Sequence, residues 1–228
     1  FVTVKNTKDM KNYLLHSLKT LFAVLVLLVG NSVNSQTFNC DANLYQVVDG
    51  NHLKVLVPST GEYVSVGVSS ISYNGAGFNT EDGFIYGIAS GNTLVKVDNT
   101  GEAISLGTIA NFSALSYSGD FDTQGNWYSF KASGGNWIMN TVDVSANTLE
   151  AQQSTVTELA GLASARKTND IAYNNVTSKF YGMDNGLIME FDAINKTVKT
   201  IGDYTAVADG GGYGAVWSDE TGKTYFFN

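Results

Sequence analysis

"GFNTEDGFIYGIA", residues 77 to 89, reads as two short strands around a tight turn. Apolar and aromatic residues flank "NTEDG", whose Asn, Asp and Gly are the residue types that reverse a chain. Similar text recurs. "GFIYGIA" (83–89) resembles "ANLYQVV" (42–48), "GNWYSFK" (125–131), "SKFYGMD" (178–184) and "GKTYFFN" (222–228). The aligned tyrosines are Tyr45, Tyr86, Tyr128, Tyr181 and Tyr225, at spacings of 41, 42, 53 and 44 residues. A second motif repeats beside it: "STGEYVSVG" (59–67) matches "NTGEAISLG" (99–107) at an offset of 40. The opening stretch is therefore one of about five copies of a unit. The long third interval is expected to hold an insertion at 150–167, and its "TELAGLASA" is the one mature segment where a helical turn is expected.

Within the second copy, strands are expected at 74–79, 84–89, 93–97 and 103–106, separated by "NTEDG", "SGN" and "DNTG". Val95 and Val97 alternate onto one face, and Ile104 and Leu106 onto another. Four antiparallel strands repeating every 40 to 45 residues indicate an all-β fold, a β-propeller of four-stranded blades. A solenoid of β-hairpins is the runner-up. The first strands, "NGAGFN", "SGDFD", "NDIAY" and "YGAVW", start with small residues and close on an aromatic, at Phe78, Phe121, Tyr173 and Trp217. Small residues suit a crowded axis, and aromatics fill the widening gap between blades. Copy one shows no first strand, and copy five stops within its second, so the propeller is expected to be incomplete at the C-terminus.

Residues 10–35 have the three-part plan of a secretory signal peptide: Lys11 and Lys19, then the apolar run Leu21 to Val29, then Val33-Asn34-Ser35 before Gln36. That run is well short of the ~20 residues of a bilayer span. Residues 1–9 read as an upstream extension or fragment edge, and 36–228 as the domain. From Gln36 on there are 9 Lys and Arg against 20 Asp and Glu, a net charge of −11. Such a surface repels phosphate backbones and anionic lipid, so neither nucleic acid nor membrane insertion is expected. Cys40 is the sole cysteine, which excludes an internal disulfide and leaves a free thiol or an outside partner.

Little in the chain carries catalytic chemistry. The mature part holds one histidine, His52, so a multi-histidine metal site is excluded and any Ser-His-Asp arrangement would need that residue. "DGGGYG" (209–214) lacks the strand and helix context of a phosphate loop, and no cofactor is expected. "DTQGN" (122–126) and "DNTG" (98–101) fit hairpin turns better than calcium loops. Asp120 and Asp170, with Asn74, Ser118 and Asn169, fall near the starts of first strands and are expected at one mouth of the channel. There they either solvate the channel and tie strands together, or serve acid–base or calcium chemistry.

The "FNCDANLYQVV" stretch, the "Y-G-I" strands and the "D-x-x-G-N-x-Y" hairpin, following the signal peptide, are similar to a propeller-like domain family of unknown function in bacterial secreted and cell-surface proteins. The resemblance covers about residues 38–228 and implies a surface role beside adhesin-like or sorting modules. It supplies no catalytic residue to carry over. The expectation is a secreted, non-catalytic module for recognition, adhesion or display, with a cell-surface glycan or protein as partner. The alternative is a propeller hydrolase or lyase with a carboxylate site at the channel mouth.

Overall fold

The computed structural model describes residues 35–39, 43–57, 59–112, 118–133, 136–159, 168–205 and 214–227. Cys40, the signal-like residues up to 34 and most of "DGGGYG" lie outside them. By its contacts the chain divides between Ser35 and Gln36. The described fold is all-β, with a single 3-10 turn at Ser90–Asn92.

A three-stranded antiparallel sheet comes first: β1 (Leu44–Val48), β2 (His52–Val57) and β3 (Glu62–Val68). The second sheet is the four-stranded meander β4 (Tyr73–Asn79), β5 (Phe84–Ala89), β6 (Thr93–Val97) and β7 (Ala103–Thr108). Two further meanders follow, β8 (Asp120–Phe121) to β9 (Asn126–Ser133), β10 (Asn136–Asp143) and β11 (Ala151–Glu158), then β12 (Ile171–Asn174) to β13 (Lys179–Asp184), β14 (Leu187–Asp192) and β15 (Thr197–Asp203). The hairpin β16 (Ala215–Ser218) and β17 (Thr224–Phe227) ends the series.

These strands amount to three full meanders, preceded by a three-stranded sheet and followed by a hairpin. The second and third of these meanders are also joined: β11 pairs parallel to β15 at Thr157↔Thr197 and Glu158↔Val198. The result is one eight-stranded sheet. Its end strands β8 and β12 also touch, so the sheet nearly closes on itself. The expected insertion at 150–167 is overturned in its first half. Ala151–Glu158 is a regular strand held by β10 on one side and β15 on the other. Of "TELAGLASA", Thr157 and Glu158 are strand, and 160–165 lie outside the described residues.

Each core lies between one unit and the next. Phe38, Leu53, Tyr73, Ile85, Val95 and Val97 bury together where the first sheet meets the second. Phe84, Tyr86 and Leu94 meet Phe121, Trp127 and Val142 of the third. Phe130, Trp137 and Val156 meet Phe180, Met189 and Phe191 inside the nearly closed sheet, with Phe130 and Phe191 stacked at 4.4 Å. A fully buried side chain of this size contributes about 1.5–3 kcal/mol, and these contacts hold neighbouring units together.

The recurring tyrosines do two jobs. Tyr86 packs on Phe121 of the next copy, ring centres 5.3 Å apart, as inter-unit packing requires. Their hydroxyls also tie down the turn before them. Tyr86 Oη donates to Asp82 (2.6 Å), Tyr181 Oη to Thr177 (3.1 Å) and Tyr225 Oη to Asp219 (3.2 Å). The glycines of three such turns, Gly83, Gly125 and Gly222, have φ of 73°, 75° and 84°, a left-handed region that side chains resist. The "D-x-x-G-N-x-Y" spacing is thus a turn held by its own strand.

Copy one has a substitute for its missing first strand. Phe38, on the segment before β1, is buried between Tyr45 (4.9 Å) and Phe78 (6.4 Å), and its N–H donates to Gly83 O at 2.8 Å. "FN" at 38–39 repeats "FN" at 78–79.

Candidate functional site

The first strands lie side by side: β4 against β8, β8 against β12 and β12 against β16. Their closing aromatics converge with Phe38 on one cavity of about 390 Å³. Phe38, Phe78, Phe121, Tyr173 and Trp217 all line it. Phe38 and Phe121 are buried, while Phe78, Tyr173 and Trp217 are half-exposed and offer ring surface. The repeat explains the convergence. Small residues precede each aromatic, so the backbones can close up: a Cβ on Gly77 would meet Asp120 Cα at 2.7 Å.

The charged groups on the cavity wall are all acidic, namely Asp120, Asp122, Asp219 and Glu220. Asp122 accepts from the N–H groups of Gln124 (2.9 Å) and Asn126 (3.0 Å), and Asp219 from those of Thr221 and Lys223 (both 2.9 Å). These two carboxylates cap hairpin turns. The Thr221 hydroxyl, first among several donors, holds the Asp219 carboxyl below the usual carboxylate range, so its charge is fixed.

The five polar residues expected at a channel mouth are placed as follows. Asp120 lines the large cavity. Asn74 and Asp170 line a smaller one of about 80 Å³, between β1 and β16. Ser118 is fully buried, with its Oγ 3.4 Å from Thr168 Oγ1. Asn169 is half-buried and lines neither.

The two aspartates act as ties between units. Asp120 Oδ2 on β8 accepts the Tyr173 N–H of β12 at 2.7 Å. Asp170, just before β12, accepts the Val216 N–H of β16 at 3.0 Å. Burial pushes the Asp120 carboxyl up to about 7, against the pull of backbone N–H donors at Tyr173, Phe121 and Phe78. Burial also raises Asp170 well above the carboxylate range, and the charge of Asp120 adds to the rise. Carboxylates spent on backbone N–H groups are poorly placed to move a substrate proton. His52, at the start of β2, lies 2.8 Å from Ser65 Oγ and lines neither cavity. Among the described residues no group of three or more His, Cys, Asp or Glu side chains is placed to hold a metal ion. No helix among them is long and apolar enough to cross a membrane.

Two features escaped the sequence reading: the five-aromatic cavity as a shared wall, and Phe38 as its fifth member. The repeat of "FN" was the available signal for the second.

A family described as a repeat of unknown function (DUF6923) matches residues 34–228. No curated protein matches the chain significantly. Among solved structures, two of the extracellular domain of BT4673 from B. thetaiotaomicron are similar in fold. One, from a proposed one-component system, has 14% identity and a TM-score of 0.46 over 83% of this chain. The other, from a proposed hybrid two-component system, has 14% identity and a TM-score of 0.47 over 86%. The chain spans only 27% and 29% of those two chains.

Proposed function

The chain belongs to the repeat family DUF6923, and from its geometry we propose that residues 36–228 are an exported, non-catalytic recognition module. Its sheets repeat radially as propeller blades, with the first strands innermost. The single observation that carries this reading is the five-aromatic cavity. A concave, largely apolar site with a few convergent polar groups is the usual form of a ligand site. The ligand is presented at a cell surface, as a glycan or on a protein. Export rests on the leader pattern, whose cleavage point before Gln36 coincides with the division of the chain.

Glycan and peptide arrays probed with the labelled exported protein test the reading. Saturable binding to a member of either array, lost in the Phe78→Ala/Trp217→Ala double variant and with the ligand recovered unchanged, is the expected result. Turnover of the bound ligand that disappears in Asp120→Asn would instead establish the hydrolase or lyase. Mass spectrometry of the exported protein is expected to find a first peptide beginning at Gln36.

A further inference from the structure

We propose that the large cavity binds an organic cation, an ammonium group on an apolar stem, seated between Phe78, Tyr173 and Trp217 with Asp120 beside it. This rests on the recognition reading above and names the ligand class. Three observations carry it. Among the described residues the cavity wall has four carboxylates, at Asp120, Asp122, Asp219 and Glu220, and no lysine, arginine or histidine. An anion would enter that field uncompensated, whereas a cation is drawn in. Second, three half-exposed aromatic side chains line the cavity, and Trp and Tyr rings attract ammonium groups within about 6 Å. The fold already makes this contact elsewhere: Lys96 Nζ lies 3.7 Å from the ring centre of Phe84. Third, about 390 Å³ suits a small molecule or one long side chain. Val47, Leu53, Ile85 and Ile171 on the same wall give the stem apolar contact.

Isothermal titration at pH 8, where Asp120 is ionised, tests the proposal with the purified exported protein. The probes are n-butylammonium and Nα-acetyl-lysine amide. n-Butanol, butyrate and glucose serve as controls. Both ammonium probes are expected to bind at least ~10-fold more tightly than n-butanol, with no binding by butyrate. Asp120→Asn and Trp217→Leu should each weaken the ammonium probes by ~10-fold or more, consistent with about 1.4 kcal/mol per tenfold change. Should Asp120→Asn fail to fold, Trp217→Leu and Phe78→Leu carry the comparison, since they keep an apolar side chain while removing the π-system. Tighter binding of n-butylammonium than of the lysine amide assigns the site to free amines, and the reverse order to lysine side chains. Equal binding of n-butanol, or preference for glucose, overturns the ammonium assignment and leaves the recognition reading standing. Failure of every probe, together with blank arrays, overturns both.

Discussion

Gly119→Ala is expected to destabilise the protein by about 3 kcal/mol, the upper part of the range for overpacking a filled core. A Cβ at Gly119 would stand 2.0 Å from Cζ2 and 2.4 Å from Cε2 of Trp127. The indole cannot retreat. Trp127 is fully buried, packs on Phe112 with ring centres 5.8 Å apart, and belongs to the core between the β4–β7 and β8–β11 meanders. The lack of a side chain at Gly119 is therefore a packing requirement and not a loop preference. In a domain of this size that loss lowers Tm by roughly 6–12 °C. Thermal melts of Gly119→Ala, Trp127→Phe and the double variant would measure it. The double variant should recover part of the loss, because the smaller ring makes room, giving a coupling of about 1 kcal/mol or more. A Gly119→Ala protein melting within a degree of wild type would show that β8 does not press on Trp127.

Stability is expected to fall as the pH rises from about 4 to 7. The cause is the pair of aspartate ties. Asp120 has a folded-state pKa of about 7, raised first by burial, and that of Asp170 is also raised well above the carboxylate range. A carboxyl raised on folding holds its proton in the native state after the unfolded chain has lost it. In that window the native state binds more protons, so the unfolding free energy declines with pH. At about 1.4 kcal/mol per pH unit, Asp120 alone gives an effect on the order of a few kcal/mol, and Asp170 acts in the same direction. Below about pH 4 the opposite groups take over. Asp143, Asp203 and Asp219 are held below the ordinary range by the hydroxyls of Ser145, Thr205 and Thr221, and their stabilisation is lost on acidification. Maximum stability is thus expected near pH 4, where the two sets of groups change over. The Asp120→Asn/Asp170→Asn variant keeps an oxygen acceptor for Tyr173 N–H and Val216 N–H but carries no titrating group. Its decline from pH 5 to 8 should be flatter than that of wild type. Parallel melting curves for the two proteins would remove the aspartates as the source.

Much of the strand map was legible in the residues. Tight turns with glycine or asparagine punctuated the second copy so regularly that Phe84–Ala89 and Thr93–Val97 match the expected limits. Strand Ala151–Glu158 was not legible, because "AQQSTVTE" has mostly polar residues and exposes much of its length. It is a strand because β10 and β15 pair with its two edges, a tertiary cause that local patterning does not record. The site was half legible. Repeat spacing identified Phe78, Phe121, Tyr173 and Trp217 as equivalent positions. It did not show that they share a cavity, because that depends on how each sheet sits against the next. The same gap scattered the polar set. Asp120 and Asp170 differ in their distance from the closing aromatic, three positions for Asp170 against one for Asp120, so they reach different neighbours and line different cavities.

The central claim is that consecutive copies interlock so that their aromatics reach a common cavity. Nuclear Overhauser spectroscopy on aromatic-labelled protein tests it most directly. Cross-peaks are expected between Phe38 and Tyr45, 4.9 Å apart, and across successive copies between Tyr86 and Phe121 at 5.3 Å and Tyr128 and Phe180 at 4.9 Å. A spectrum with contacts only inside single copies, such as Trp217 with Tyr225 at 5.0 Å, and none between copies would contradict the account.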